Sequence, residues 1–408
     1  MDGLRVRPAR QEDLEQLAEI HACAYPEPGG HDHHMRCFTH NAFGGLDRVR
    51  VAEKSGEVAG CAALYSLELW LGGRRVPVGG IGSLAVAPEM RHEGVSRALL
   101  EELHKEIESD GGVLALLFPF EQRFYSRRGY AAVSPLTTLK IASKAIDAPS
   151  PFGAGGEAFS MIRLEGARVQ EARALYDAIA ARACGRVVRS EARWMKLFAR
   201  EDRHWMGAVS KEGRLEGYVS FSYEGGPMGR DQTLVVEELT SGGGAATGGL
   251  FRALGRQRDQ VADIEITIPW HDPLVFAFED AAGARRGPNG LSHPLGTVSA
   301  GPMVRIIDVR RALSLRGYAA DGDLTLVCTD GDRREAVRLS VRGGTAHVLE
   351  GGSGPEVEGS RGTLGSIVAG GLRPSEAADL GLLRASALAL GAAEQMFSGP
   401  RFQCLDPF

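Results

Sequence analysis

The sequence predicts a mixed α/β protein, α+β in its last third, built from more than one domain. Three observations carry this. Strand signals and helical periodicity alternate through the first 140 residues; a second unit of the same rough layout follows a break near residue 150; and the remainder mixes short strands with helices. At 408 residues the chain also exceeds the roughly 250–300 at which a single core stops growing, so two or three domains are expected.

The elements read in order as follows. "LRVRPAR" alternates as a short strand, and "EDLEQLAEIHACAY" has helical spacing with an acidic first turn. After "PEPGGHDHHMR", read as a loop, two strands flank Ser55-Gly56, a hairpin turn, and "GGRRVPVGGIGSLAVAPEMR" continues the sheet. "SRALLEELHKEIESDGG" is a helix with Leu99, Leu100 and Leu103 on one face; "VLALLFPF" is a buried strand. Pro, Gly, Ser and Ala replace periodic sequence in "IASKAIDAPSPFGAGGEAF", which marks a boundary. The second unit holds strand-like "RLEGYVSFSYE" and "TLVVEELT" and the helix "GGLFRALGRQRDQV". From "VSAGPMVRIIDVRRALSLRGY" onward, "LTLVCTD", "AVRLSVRGG" and "AHVLEGG" read as strands, and "TLGSIVAGG", "PSEAADLGLL" and "ALALGAAEQMF" as helices. The expected domains are 1–148, 149–296 and 297–408.

Composition excludes several function classes. A net charge of -5, with acidic and basic residues interspersed, offers no basic field for nucleic acid. The N-terminus is charged from the start, and no run reaches the eighteen or so apolar residues of a membrane span, so a cytoplasmic protein is expected. Six scattered cysteines without a CxxC pair are expected to be reduced and mostly buried.

The chemistry concentrates in "IGSLAVAPEMRHEGVSRALLEELH", residues 81–104. An apolar strand (Leu84, Ala85, Val86) leads through Pro88 into Arg91-His92-Glu93-Gly94-Val95-Ser96 and opens into a helix. Unpaired N–H groups at the first helical turn and the helix dipole suit a pyrophosphate. Gly94 lets the backbone approach closely, and Arg91 and Arg97 can neutralise phosphate charge. R-x-x-G-x-S in this setting resembles the acetyl-CoA-binding loop of GNAT acetyltransferases, whose usual form is R/Q-x-x-G-x-G/A. "FEQRFYSRRGYAAV", residues 120–133, resembles the F-Y-x-R-x-G-Y element that follows in the same superfamily.

Taken over its whole length, ending in "RFQCLDPF", the chain resembles the enhanced intracellular survival (Eis) acetyltransferases. That resemblance implies two tandem GNAT-type domains, the second degenerate, and a sterol-carrier-protein-like α+β domain whose C-terminus reaches the active site. It implies acetyl-CoA as co-substrate, no metal, a small amine-bearing acceptor and a homo-oligomer, hexameric in the family. Carried across by residue, Tyr125 is the general acid and the α-carboxylate of Phe408 the general base. Leu84, Ala85 and Val86 hold pantetheine, Arg91 to Arg97 (with His92, Glu93, Gly94, Val95 and Ser96 between) hold the pyrophosphate, and Phe120 and Glu121 contact the coenzyme again.

Other signals are discounted. "HDHH" (His31, Asp32, His33, His34) reads as a polar loop at the acceptor rim, since adjacent residues rarely surround one ion. His104, Glu101 and Glu102 read as the solvated face of their helix. "SGGGAATGGL" reads as a degenerate phosphate loop, and Trp270-His271-Asp272 lacks a nucleophile-elbow pattern. The leading reading is an N-acetyltransferase of primary amines (aminoglycoside-like, polyamine or lysine amines). The rivals are a lipid-binding carrier that uses the C-terminal domain, with the GNAT units as scaffold, and a transferase of longer acyl groups.

Overall fold

The computed structural model describes residues 3–26, 29–147, 159–226, 232–278, 285–287, 290–352 and 354–408. They form two compact units: one gathers 1–133, 183–193 and 301–408, the other 134–182 and 194–300.

The first unit opens with β1 (Leu4–Pro8), α1 (Leu14–Ala24), α2 (Gly30–Thr39), β2 (Val49–Lys54), β3 (Glu57–Leu71) and β4 (Arg74–Val86). α3 (Val95–Ser109), β5 (Leu114–Leu117), α4 (Gln122–Ser126) and β6 (Ala131–Ala132) follow. Ser55 (φ 54°) and Gly56 (φ 86°) turn β2 into β3, both left-handed as a two-residue hairpin of the type I′ kind requires. The sheet order is β1-β2-β3-β4-β5, then Met303–Ile306, then β6. Met303–Ile306 runs antiparallel to β5, pairing Met303 with Leu117 and Ile306 with Leu114. The strand thus enters the first sheet although some 170 residues separate it from β6, because its Met303, Val304 and Ile306 are buried there. Leu99, Leu100, Leu103 and Ile107 of α3 pack on one sheet face with Leu64, Ile81, Tyr125 and Tyr130.

Two local readings are corrected. "PEPGGHDHHMR", expected as a loop, contributes to α2, because His34 and Phe38 stand four residues apart and together bury one helical face. His104, expected on the solvated face of α3, is half-buried and lies 2.7 Å from the Tyr130 hydroxyl through Nε2. It follows Leu100 by four residues and precedes Ile107 by three, which sets it at the edge of the apolar stripe.

The same unit contains a five-stranded sheet in the order Thr345–Glu350, Arg333–Arg342, Gly322–Asp330, Glu356–Ser360, Leu383–Ala385. Helices Arg361–Ala369 and Ala387–Phe397 supply Leu364, Ile367, Met396 and Phe397 to a core that also includes Leu17, Phe38 and Leu69 from the N-terminal part. The segment 183–193 runs along the far end of β3, with Trp70 N–H donating to the Arg186 carbonyl at 2.9 Å and Val188 N–H to the Glu68 carbonyl at 2.8 Å. It also bonds the C-terminal stretch, Gln403 N–H donating to the Cys184 carbonyl at 2.8 Å, while Phe402 N–H donates to the carbonyl of Gly370, just past helix Arg361–Ala369, at 2.9 Å.

The second unit is a seven-stranded sheet in the order Gly296–Ser299, Leu136–Ala142, Asp263–Pro269, Gln232–Ser241, Leu215–Gly225, His204–Val209, Ser160–Arg163. Its core joins Leu139, Val219, Leu234, Leu250, Leu254 and Ile266. Among the described residues no helix is long and apolar enough to cross a membrane. None of the six cysteines is in a disulfide; Cys61, Cys184, Cys328 and Cys404 are buried, Cys37 is partly exposed and Cys23 exposed.

Candidate active site

The site begins at a defect in β4. The β3–β4 ladder shifts register between Cys61 and Ala63, opposite Ser83 and Leu84, and Ser83 takes a left-handed φ of 49°. A β-bulge bends the strand and removes it from regular pairing. Accordingly β4 pairs with parallel β5 only from Val78 to Ile81, and beyond that point the two strands part. Carbonyls freed at the bulge find side-chain donors: Tyr25 Oη donates to Leu84 O at 3.0 Å, and Cys61 Sγ lies 3.6 Å from Ser83 O. Leu84 and Ala85 are buried along this stretch, while Val86 is half-buried.

Downstream lies the turn into α3. His92 (φ 68°) and Gly94 (φ 86°) are left-handed, and Gly94 is the N-cap with no side-chain capping bond, so the first N–H groups of α3 face outward from a buried Val95. Glycine takes that conformation at no steric cost. Arg91, His92, Glu93 and Arg97 are exposed around the turn and Ser96 is half-buried; Glu93 pairs with Lys54 and Arg97 with Glu101. Arg128, which sequence reasoning missed, joins them. Its guanidinium stacks 3.7 Å above the Phe124 ring and donates to the Phe124 carbonyl at 2.7 Å. Burial, and then the charge of Arg97, hold its pKa below the usual arginine value, so an anion between the two would relieve both costs. The signal was the second arginine of "SRRGY".

Beyond the fork, Glu121 caps α4 by accepting from Arg123 N–H at 3.2 Å, and Phe120 is exposed with its ring 5.6 Å from that of Tyr125. Tyr125 is 3% exposed, edge-on to Phe124 and Tyr130. Burial raises its pKa well above the ordinary tyrosine value, with Tyr25 adding to the rise. The phenol is therefore neutral throughout the physiological range.

Phe408 completes the fork. A Cβ on Gly80 would lie 2.9 Å from its ring, and one on Gly82 3.2 Å from its main-chain oxygen, so two glycines of β4 make room for this residue immediately before the bulge. Its ring meets Phe118 (5.6 Å), Phe43 (6.2 Å) and Tyr65 (6.4 Å). Burial pushes Tyr65 up to about 12, against a hydrogen bond with Ser83 that ties this aromatic wall to the bulge. All candidate residues thus fall in the first unit, and Phe408 lies against β4 at Gly80 and Gly82, where its ladder with β5 ends.

Residues 5–133 match the acetyltransferase (GNAT) domain family, residues 185–306 match another acetyltransferase (GNAT) domain family, and residues 309–405 match the sterol carrier protein domain family. N-acetyltransferases Eis of Mycobacterium tuberculosis and Mycobacterium bovis are 30% identical over 348 residues, 82% of this chain and 81% of theirs. The chain belongs to the Eis N-acetyltransferase family. The fold agrees along its length: a GCN5-related N-acetyltransferase from Anabaena variabilis aligns with a TM-score of 0.84 at 23% identity, covering 99% of this chain and 100% of that one. Eis1 from Mycobacterium abscessus aligns with a TM-score of 0.75 at 21% identity, over 99% and 100%. GNAT acetyltransferases use acetyl-CoA, and the bulged strand with its open helix N-terminus and arginines fits that coenzyme.

In this Eis-family chain the second unit also has a strand, Gln232–Ser241, that leads into a helix with a glycine N-cap, Gly243, but without the arginines of the first. Gly243 N–H, which precedes helix Gly244–Gly255, is bonded by Ser241 Oγ at 3.2 Å, and Ser241 Oγ lies 2.7 Å from Thr247 Oγ1. "HDHH" is bonded internally: His31 pairs with Glu15, and His34 Nδ1 lies 2.9 Å from His21 Nδ1. Among the described residues no three His, Cys, Asp or Glu side chains group closely enough to hold a metal ion.

A pH dependence follows from two imidazoles, His21 buried and His104 half-buried. Burial first, then His34 and His33, pull His21 down to about 4; burial, then Arg305, pull His104 down to about 3. Both folded values lie below the ordinary histidine value of about 6.5, so the unfolded chain binds more protons in between. Their contribution is complete above pH ~6.5 and is lost as pH falls toward those folded values. Urea unfolding at pH 7 and pH 4.5 should show a loss on the order of 2 kcal/mol per histidine, and His104→Gln, which keeps a partner for Tyr130, should show a smaller loss than the parent protein.

Proposed function

We propose that this Eis-family protein transfers the acetyl group of acetyl-CoA directly to a primary amine, aminoglycoside-like, polyamine or lysine, with Tyr125 as general acid and the α-carboxylate of Phe408 as general base. The observation that carries this reading is the seat of Phe408 against Gly80 and Gly82, beside the Ser83 bulge. A carboxylate there can take a proton from an ammonium, directly or through one water, before the nitrogen attacks. Leu84, Ala85 and Val86 run past the point where the ladder to β5 has ended, which gives the pantetheine an unpaired strand edge to lie along. A main-chain N–H of the same stretch would meet the charge that develops on the acetyl oxygen. Arg91, Arg97 and the N–H groups from His92 to Ser96 hold the pyrophosphate, as do Phe120 and Glu121 the neighbouring part of the coenzyme. Tyr125, neutral and buried, donates to the departing sulfur. By likeness to its family we also propose a homohexamer in the cytoplasm.

Purified protein supplied with acetyl-CoA should release free thiol when polyamines, aminoglycosides or lysine peptides are added, at least tenfold above the amine-free rate. Faster release from longer acyl-CoAs would favour the broader acyltransferase. Absence of release across the panel, together with tight binding of an apolar ligand, would favour the carrier.

A further inference from the structure

The C-terminal residues alternate in burial: Phe402, Cys404 and Asp406 face inward, whereas Leu405 and Pro407 face out. Such period-two burial marks an extended segment lying on a surface. The third inward position is charged, and a carboxylate 6% exposed requires compensation. Two arginines supply it. Arg189 Nε lies 3.1 Å from each carboxylate oxygen of Asp406, and Arg193 Nη2 lies 3.2 Å from Oδ1. Burial works to raise the Asp406 pKa, but the two guanidinium charges and their hydrogen bonds outweigh it and keep the group ionised.

Both arginines come from the 183–193 segment whose first half is already bonded to β3 and to Gln403. Arg186 adds a bond from Nε to Gln403 Oε1 at 3.3 Å. Arg193 then lies 4.9 Å above the ring of Phe43, which is edge-on to the ring of Phe408. A continuous path runs from β3 through this segment to Asp406, and from Arg193 through Phe43 to Phe408. Only Pro407 stands between Asp406 and Phe408, whose carboxylate ends the chain, and its ring fixes one of the backbone torsions between them.

We propose that Arg189, Asp406 and Arg193 form a positioning clamp that fixes the Phe408 carboxylate against β4. This rests on the reading of Phe408 as the base. Asp406 does not touch substrate; it acts by holding its neighbour, and by occupying two guanidinium groups that would otherwise compete for the terminal carboxylate. The geometry therefore predicts an effect on the chemical step and little on coenzyme binding.

Asp406→Asn preserves shape and removes the charge. It should lower kcat at least 30-fold, leave the dissociation constant for acetyl-CoA within about twofold, and allow carboxypeptidase Y to release phenylalanine from the native protein at least tenfold faster than from the parent. Arg193→Lys, which keeps a positive charge but loses the flat contact with Phe43, should show the same pattern more weakly and serves if the first variant does not fold. A C-terminally amidated parent protein separates the two levels. If amidation abolishes turnover while Asp406→Asn and Arg193→Lys retain kcat within twofold, the clamp is overturned and the base reading stands. If amidation leaves turnover intact, the base reading falls and the clamp with it. Equal losses in kcat and in acetyl-CoA affinity would assign these residues a general structural role and also overturn the proposal.

Discussion

Replacing the terminal carboxylate of Phe408 with an amide is expected to lower kcat by about 10²–10³ at pH 7, in line with general-base contributions of roughly 10²–10⁴. The lower part of that range is expected because an ordinary α-carboxyl group, with a reference pKa of about 3.3–3.7, is a weak base. Much of its effect is then to attract the ammonium and to accept its proton as the new bond forms. That role predicts a distinct pH signature. As pH rises from 7 toward the ~10.4 of a lysine-type amine, more acceptor arrives already deprotonated, so the deficit of the amidated protein should shrink. A deficit independent of pH would point instead to lost packing of the terminus. The fold should survive the change, since the Phe408 ring and its contacts with Gly80, Phe118, Phe43 and Tyr65 are retained. Full activity of the amidated protein at pH 7 would remove Phe408 from the mechanism.

How much of this was legible in the residues depends on the range of the interactions involved. The helix at 95–109 and the turn before it could be read directly, because apolar spacing and a left-handed glycine are local properties. The same holds for the Ser55-Gly56 hairpin and for the helices near the C-terminus. At His104 and His34 polarity does not mean exposure: their spacing from Leu100 and Ile107, and from Phe38, sets these two histidines beside buried faces. The bulge at Ser83 left no sequence signature, since nothing local marks a serine for the left-handed φ it takes where the β3–β4 ladder shifts register. Nor could the sequence place Met303–Ile306 next to β5, because strand pairing over some 190 residues is decided by which edge remains open. Asp406 did leave a signal. In "FQCLDPF" every second residue is an inward position, and an aspartate in that series asks for buried arginines; only the fold could say that Arg189 and Arg193 answer.

Tyr125→Phe is expected to lower kcat by roughly 10², with acetyl-CoA affinity and thermal stability nearly unchanged. Stability should hold because phenylalanine keeps the ring contacts with Phe120, Phe124 and Tyr130. The size of the catalytic effect follows from proton affinity. A thiol of the cysteine kind has a reference pKa of about 8.5 and an unperturbed phenol about 10, so moving a proton from the phenol to the thiolate is uphill by at least 1.5 units, about 2 kcal/mol. Burial raises Tyr125 further, which increases that cost. On the proposed reading Tyr125 would then act chiefly as a hydrogen-bond donor that lowers the charge on the departing sulfur, with full transfer following as the thiol leaves the site. Two consequences can be measured. The parent enzyme should show no alkaline decline in kcat attributable to Tyr125 below pH ~10, because the raised pKa keeps the proton in place to higher pH. An acetyl donor with a more acidic thiol needs less help, so the gap between parent and Tyr125→Phe should narrow when acetyl-CoA is replaced by an acetyl thioester of low thiol pKa. A gap that stays constant across such donors would show that the hydroxyl serves binding or packing, and would remove it from the leaving-group step.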